Sequence, residues 1–327
     1  MKNFKYNLQL FAELGTNLTT SPGLSDEMKT YYSDYLIDNA IPKLVHDQFG
    51  QKHPIPKNGG KTIEFRKYSP LPKLTTPISE GVTPDGQSLT MSTITATVAQ
   101  YGGYITLSDI LILTAIDNNL VQATKLLGAQ AGATLDTIVR EILNGGTNVI
   151  FAGDKDARQD LDESSLIKVD DVKKAVRFLK TQNAEPINGS WVGIIHPDVS
   201  YDLTNDPEWK DIKTYSDPSD IYEGEIGKLY GVRFVETTES KIWAGAGVSG
   251  RAVYSTLILG DNAYGTTELS GGGLEHIVKQ LGSAGTGDPL NQRATAGWKA
   301  TKTAERLVEN YMVRIESTST FNPAVNN

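Results

Sequence analysis

The chain has 327 residues, carries 31 Lys and Arg against 39 Asp and Glu for a net charge of −8, and contains no cysteine. The missing thiols exclude a disulfide framework, thiolate zinc sites, iron–sulfur clusters and cysteine nucleophiles. The acidic balance repels a phosphate backbone at long range and argues against sequence-nonspecific nucleic-acid binding. At roughly 150 residues per domain the length suits one large domain or two ordinary ones. The longest apolar run, Ile110 to Ala115, is interrupted by Thr114 and is far short of the ~20 residues a bilayer span needs. Gln9 and Glu13 break the apolar start, so it fails as a secretory signal and the product is expected to stay where it is made.

Residues 1–24 hold no sustained period and end in the turn-like Thr19 to Gly23. Ser25 offers a helix cap with Asp26 and Glu27 in the first turn, and Met28, Tyr31, Tyr35 and Leu36 form one stripe. Pro42 kinks or restarts that helix, whose apolar face Leu44, Val45 and Phe49 carry to Gly50. Beyond the breakers at 53–60, Thr62 to Tyr68 alternates as a strand, and Met91 to Thr106 reads as a second long strand rich in Thr, Val and Ile. Between them lies an about 20-residue stretch holding Pro70, Pro72, Pro77 and Pro84, which cannot be regular helix or central sheet. A loop of that length is usually functional.

Ser108 and Asp109 cap a short helix through Ile116. A long helix follows, with Leu120, Ala123, Leu127, Ala131, Leu135, Ile138 and Ile142 stepping by three or four to Asn144-Gly145-Gly146. Gly128 and Gly132 inside it either admit another backbone or weaken the helix. A separate α/β block then has a helix Asp171 to Thr181 capped by Asp170, a buried strand Trp191 to Ile195, a short helix opened by His196-Pro197-Asp198, and strands Val232 to Glu236 and Ala252 to Leu259. The last third supplies strands at Leu274 to Val278, Trp298 to Leu307 and Tyr311 to Ile315, and a polar, frayed tail from Ser317.

Catalytic chemistry finds no support in these residues. His46, His53, His196 and His276 show no i, i+4 pair for zinc. Gly60-Lys61-Thr62 is followed by a strand where a phosphate-binding loop needs a helix, and so is the formal Gly-x-Gly-x-x-Gly at Gly245 to Gly250. The acids Asp154, Asp156, Asp160, Asp162 and Glu163 lack the spacing of a calcium loop and read as solvated. No nucleophile elbow occurs. No enzyme activity, cofactor or metal is expected, although a calcium- or sugar-dependent enzyme using this acidic loop is a third reading.

The wording and order of whole segments resemble the tailed-bacteriophage major capsid proteins of the Hong Kong 97-type fold, closest to the branch typified by the coliphage N-four capsid protein. The segments are Asn7 to Ala12, Gly60 to Phe65, Glu80 to Pro84, Gln100 to Tyr104 before Ser108-Asp109, His196 to Asp198, Gly224 to Val235, Gly287 to Arg293 and Gly297 to Lys299, spread collinearly over nearly the whole chain. The resemblance implies an α+β fold: an N-terminal arm and helix (1–50), an extended β-hairpin loop lying over a neighbouring subunit (51–100), a peripheral domain with a long spine helix (101–151 and 271–327), and an axial domain (152–270). It implies self-assembly through pentamers and hexamers into an icosahedral head shell enclosing phage double-stranded DNA, in the virion and assembled in the host cytoplasm. Implied partners are other copies of the chain, portal and scaffolding or decoration proteins, and packaged DNA held weakly and non-specifically, with no membrane. A head decoration or tail component is the alternative. An isolated two-stranded ribbon is marginal in water, so the hairpin needs a neighbour. The residues expected to contact it are Ile63, Phe65, Ile94 and Val98 on the packed face, with Pro70, Pro72, Pro77 and Pro84 stiffening the tip and blocking stray strand pairing.

Overall fold

The computed structural model describes residues 16–17, 45–56, 60–68, 71–78, 80–81, 83, 85–114, 119–210, 227–267, 274–283 and 287–323. The expected helix from Ser25, its kink at Pro42, and Pro70 and Pro84 lie outside these residues. The chain divides into two compact units, one containing Gln100–Ala133 and Gly272–Thr301, the other Pro42–Ala99, Thr134–Gly271 and Lys302–Asn327. This division differs from the one read in the sequence: residues 271–327 form no single block, since their last part belongs with the α/β core.

In the first unit the strand Ala99–Ser108 pairs with Arg293–Arg306, and Glu275–Lys279 flanks the latter in antiparallel register from Glu275↔Lys299 to Lys279↔Thr295. Three glycines let these strands close up. A Cβ on Gly102 would stand 2.7 Å from the Trp298 carbonyl oxygen, and one on Gly297 2.8 Å from Tyr104 Cβ. The Trp298 indole N–H donates to Gln130 Oε1 at 3.1 Å, and Gly103 leaves room for that amide. The helix Asp109–Thr114 forms where expected, with the Leu111 N–H donating to Ser108 Oγ at 3.2 Å as an N-cap. The long helix Asn119–Asn144 is about 39 Å long at 1.5 Å per residue. Ala123, Leu127, Ala131, Leu135, Val139 and Leu143 are its buried stripe. The stripe thus ends one residue later in each turn than Ile138 and Ile142, which are only part-buried. Among the described residues nothing beyond its own stretch of helix lies within 4 Å of a Cβ built on Gly128, so none of them uses that glycine for a close backbone approach.

The second unit is built on a seven-stranded sheet whose main path runs Val149–Phe151, Met312–Ser317, Val253–Leu259, Trp191–Ile195, Val232–Glu236, Lys228–Leu229. Both faces are covered, which explains strands that read as continuous apolar runs. Tyr254, Ile258, Trp191, Ile195, Val313 and Ile315 face one core with the helix Val169–Thr181 and the helix Pro197–Asn205, while Leu257, Leu259, Val192 and Ile194 face a second with Val139, Leu143 and Tyr264. The Val169–Thr181 helix starts two residues before the expected Asp171, because Asp171 accepts the Lys168 N–H at 3.0 Å from the third helical position and Asp206 accepts the Val169 N–H at 3.0 Å. Two arginines satisfy carbonyls at the end of the long helix. Arg306 donates to Ile142 O at 2.7 Å and Arg314 to Asn144 O and Gly146 O.

The expectation of a frayed tail from Ser317 is corrected for its first residues, while 324–327 lie outside the described residues. Ser317, Thr318 and Ser319 are buried, and the Asp202 carboxylate accepts from the Ser319 hydroxyl at 2.6 Å, the Thr320 N–H at 3.0 Å and the Thr320 hydroxyl at 2.7 Å. Anchoring polar groups in the fold outweigh the polar composition of the segment. The expected continuous strand Met91 to Thr106 is also two strands, Met91–Thr97 and Ala99–Ser108, divided at Val98, whose N–H leaves the second strand to donate to Lys61 O at 2.9 Å.

Candidate self-assembly surface

The strands Thr62–Tyr68 and Met91–Thr97 form a two-stranded sheet of their own, in register from Thr62↔Thr97 to Tyr68↔Met91. Among the described residues, contacts hold its base alone. Phe65 pairs with Ile94, lies against Gly265 and meets the His53 ring edge-on at 5.3 Å between centroids, while Ala96 is fully buried. Gln51–Lys52 pairs parallel with Gly265–Thr266, fixing the entry to the hairpin.

Just before that entry, residues 45–50 are locked by buried polar groups. The Asp136 carboxylate accepts both the His46 N–H at 2.8 Å and its ring Nδ1 at 2.7 Å. Lys302 pairs with Asp47 at 2.7 Å, and the Tyr264 hydroxyl donates to His46 O. Burial, reinforced by the Asp47 and Asp136 charges, pushes that phenol far above its ordinary range, so it is a permanent donor. A Cβ on Gly50 would fall 2.5 Å from the Tyr264 ring, and so only glycine fits. Here the expected continuation of the N-terminal helix by Val45 and Phe49 is replaced by turns, because the backbone of His46 is committed to Asp136 and Tyr264.

Past the base the hairpin is uncovered. Every described residue from 71 to 90 is exposed, among them Leu71, Leu74 (77 %), Ile78 (74 %) and Leu89. Contiguous exposed apolar side chains mark interaction surfaces in soluble proteins. Of the residues expected at a neighbour, Ile63, Phe65, Ile94 and Val98 are part-buried, with Ile63, Phe65 and Ile94 lining a cleft alongside Asn262 and Leu307 of the same unit. Pro72 and Pro77 stand exposed in the tip. The apolar tip side chains were missed in the sequence because the prolines around them obscure any period; the recurrence of Leu or Ile between prolines was the available signal.

The other candidates resolve into ordinary structure. Asp154, Asp162 and Glu163 pair with Lys174, Lys155 and Arg251. The Lys155 ammonium and the hydroxyl and N–H of Ser164 hold the Asp162 carboxyl well below its usual range. Among the described residues no three His, Asp or Glu are placed to share a metal ion. His196 caps the helix Pro197–Asn205, its Nδ1 accepting the Asp198 N–H at 3.1 Å. The glycines 245–250 form a turn leading into a strand.

Residues 114–267 match the family model described as phage capsid protein. Among solved structures, the capsid of the cyanophage P-SCSP1u is similar at TM-score 0.68 and 13% identity, covering 98% of this chain and 100% of the other. The fold is that of phage capsid proteins. The capsid of Ralstonia phage GP4 covers 94% of this chain and 100% of its own at TM-score 0.68 and 13% identity, and that of cyanophage Pam1 covers 98% and 100% at TM-score 0.64 and 13% identity. No curated protein sequence matches the chain. The phage capsid fold thus spans both units and accounts for nearly the whole length.

Proposed function

We infer that the chain is the major capsid protein of a bacteriophage and builds a closed shell from copies of itself. The observation that carries this reading is the hairpin tip: a chain with the phage capsid fold holds the base of a ribbon by buried contacts and leaves Leu71, Leu74, Ile78 and Leu89 in solvent. Nothing among the described residues of one copy covers them, and a heterologous contact repeated around a rotation axis closes into rings. In Hong Kong 97-type terms, and within the branch typified by coliphage N-four, residues 1–50 are the arm, 51–100 the extended loop, Asn119–Asn144 the spine helix, and 152–270 the axial domain. The strand Met312–Ser317 joins the axial sheet, and the remaining residues of 101–151 and 271–301 form the peripheral domain. Pentamers and hexamers make an icosahedral virion head around double-stranded DNA, assembled in the host cytoplasm with portal and scaffolding or decoration proteins, and the role is structural, without an enzymatic step.

Negative-stain microscopy and light scattering of the purified chain test this. Closed particles, or pentamers and hexamers, are expected; a strictly monomeric species under assembly conditions overturns it. Deleting Ser69 to Thr90 is expected to leave the core folded and abolish particles.

A further inference from the structure

The strand Glu275–Lys279 is bonded along one side to Arg293–Arg306, and among the described residues no strand lies on its other side. All five of its residues are exposed. Successive side chains of a strand point to opposite faces, so Ile277 and Val278 leave the sheet in opposite directions, yet each is 38 % exposed. The flanking Leu274 and Leu281 are 57 % and 40 % exposed. Proteins blunt a bare edge with a proline, a bulge or an inward-pointing charge, because it is a template for another strand. No proline falls between Leu274 and Leu281. The charges on the strand are Glu275 and Lys279, opposite in sign and placed two residues either side of Ile277.

That placement fits a second copy of the same strand. Two identical strands pair antiparallel about a two-fold axis, an isologous contact in which residue i faces j and j faces i. Opposite residues must share a face, so the axis falls on a residue and not between two. Centred on Ile277, the pairing sets Glu275 opposite Lys279 at both ends and Ile277 opposite its own copy. Centred on His276, it sets histidine against histidine and Glu275 against Ile277; centred on Val278, it sets Lys279 against Ile277. Only the first register pairs opposite charges, which favours it and resists slippage. Within each copy Lys299 already pairs with Glu275 at 3.1 Å, so the joined sheet would carry a row of Lys299, Glu275 and the second copy's Lys279 in which the signs alternate. Ile277 lies opposite Gly297 in its own ladder, and a glycine offers it no side chain in that row, whereas the second Ile277 would.

We propose that Glu275–Lys279 is a two-fold contact between copies, an antiparallel edge pairing centred on Ile277 that joins two sheets into one. The proposal rests on the shell reading and adds to it: a contact repeated about one axis closes a ring, and rings become an icosahedral shell only when they also meet across two-fold axes. A single short pairing is weak, since an isolated two-stranded ribbon is marginal in water. Rings that present several such edges at once gain from avidity. A foreign extended segment could add to the edge, but the symmetric placement of Glu275 and Lys279 would then serve nothing.

The chain has no cysteine, so single-cysteine variants of the full chain test this contact without background. Opposite Cβ atoms in an antiparallel pair stand about 4.5–5.5 Å apart, within reach of a disulfide after a small shift. Under mild oxidation in assembly conditions, Ile277→Cys is expected to give covalent dimers on non-reducing gels. Their yield should be about tenfold that of Val278→Cys, whose copies stand diagonally, or of Val248→Cys, a control 42 % exposed in the other unit. Lys279→Glu sets glutamate opposite glutamate twice and should lower the Ile277→Cys dimer yield about tenfold, and adding Glu275→Lys restores opposite pairs and should recover most of that loss. A yield for Ile277→Cys no higher than for Val248→Cys, unmoved by Lys279→Glu or not recovered by Glu275→Lys, overturns the proposal. So does cross-linking of Ile277→Cys to Leu74→Cys of a second copy in mixtures, which would give the edge to the hairpin tip. Particles without Ile277→Cys dimers overturn the edge contact and leave the shell reading standing, whereas dimers without particles uphold the contact and overturn the shell reading.

Discussion

His46 and Asp136 form a fully buried pair, with 2.7 Å between Nδ1 and Oδ2, that ties the segment entering the hairpin to the long helix. The same carboxylate also takes the His46 backbone N–H. Removing it strands two buried donors, so Asp136→Ala is expected to cost about 3 kcal/mol or more, and Asp136→Asn less, since its carbonyl still accepts one of them. Urea unfolding followed by circular dichroism measures this; equal midpoints for wild type and Asp136→Ala would refute it.

The hairpin tip separates folding from assembly. Leu74 and Ile78 are about three-quarters exposed, so Leu74→Asp and Ile78→Asp should change stability by no more than about 0.5 kcal/mol. Each places a charge in a contact that must dehydrate, and particle yield in sedimentation is expected to collapse. A well-folded variant that still assembles to wild-type yield would show that the tip lies outside the contact.

Gly102 faces backbone rather than a movable side chain. A methyl group there meets the Trp298 carbonyl oxygen at 2.7 Å, and neither strand can step aside without losing its register. Gly102→Ala is expected to destabilise the first unit by about 1–3 kcal/mol, the range for overpacking. Hydrogen exchange of the amides of 99–108 reports it directly: faster exchange confined to that strand and its partners is the expected pattern.

His196 gives the fold a pH dependence of definite sign. Burial pushes its pKa below the usual 6.5, outweighing the Asp198 and Glu236 carboxylates that pull it upward, and Nδ1 is already occupied as the acceptor for the Asp198 N–H. Below about pH 6.5 the unfolded chain takes up a proton that the folded chain refuses, so stability is complete above that value and falls as the pH drops through it. His196→Asn keeps an acceptor at the cap and should flatten the melting temperature between pH 7 and 5 relative to wild type. An identical slope in the variant would rule His196 out.

Much of the architecture was legible from residue patterns. Thr62–Tyr68, Trp191–Ile195, Val232–Glu236 and the helix from Asn119 lie where alternation, continuous apolar runs and 3.6-residue stepping placed them. What escaped depends on long-range partners. Nothing near Ser317 announces that Asp202 will bind the segment after it, and nothing near Val98 announces that Lys61 will take its N–H. At the candidate assembly surface, the hairpin and its prolines were readable. The division between a half-covered base and an uncovered tip was not, because it depends on Gly265 and His53 meeting Phe65.

The strand Met312–Ser317 lies between Val149–Phe151 and Val253–Leu259, although it follows every other strand of that sheet in the chain. Synthesis proceeds from the N-terminus, so the sheet leaves the ribosome with a gap at this position, and the Val149–Phe151 strand has no partner until the gap is filled. A product broken off before residue 312 would expose Tyr254, Ile258 and the end of the long helix together, a surface open to proteolysis. Chain completion thus closes this sheet, since only a chain that reaches residue 317 fills the place between Val149–Phe151 and Val253–Leu259.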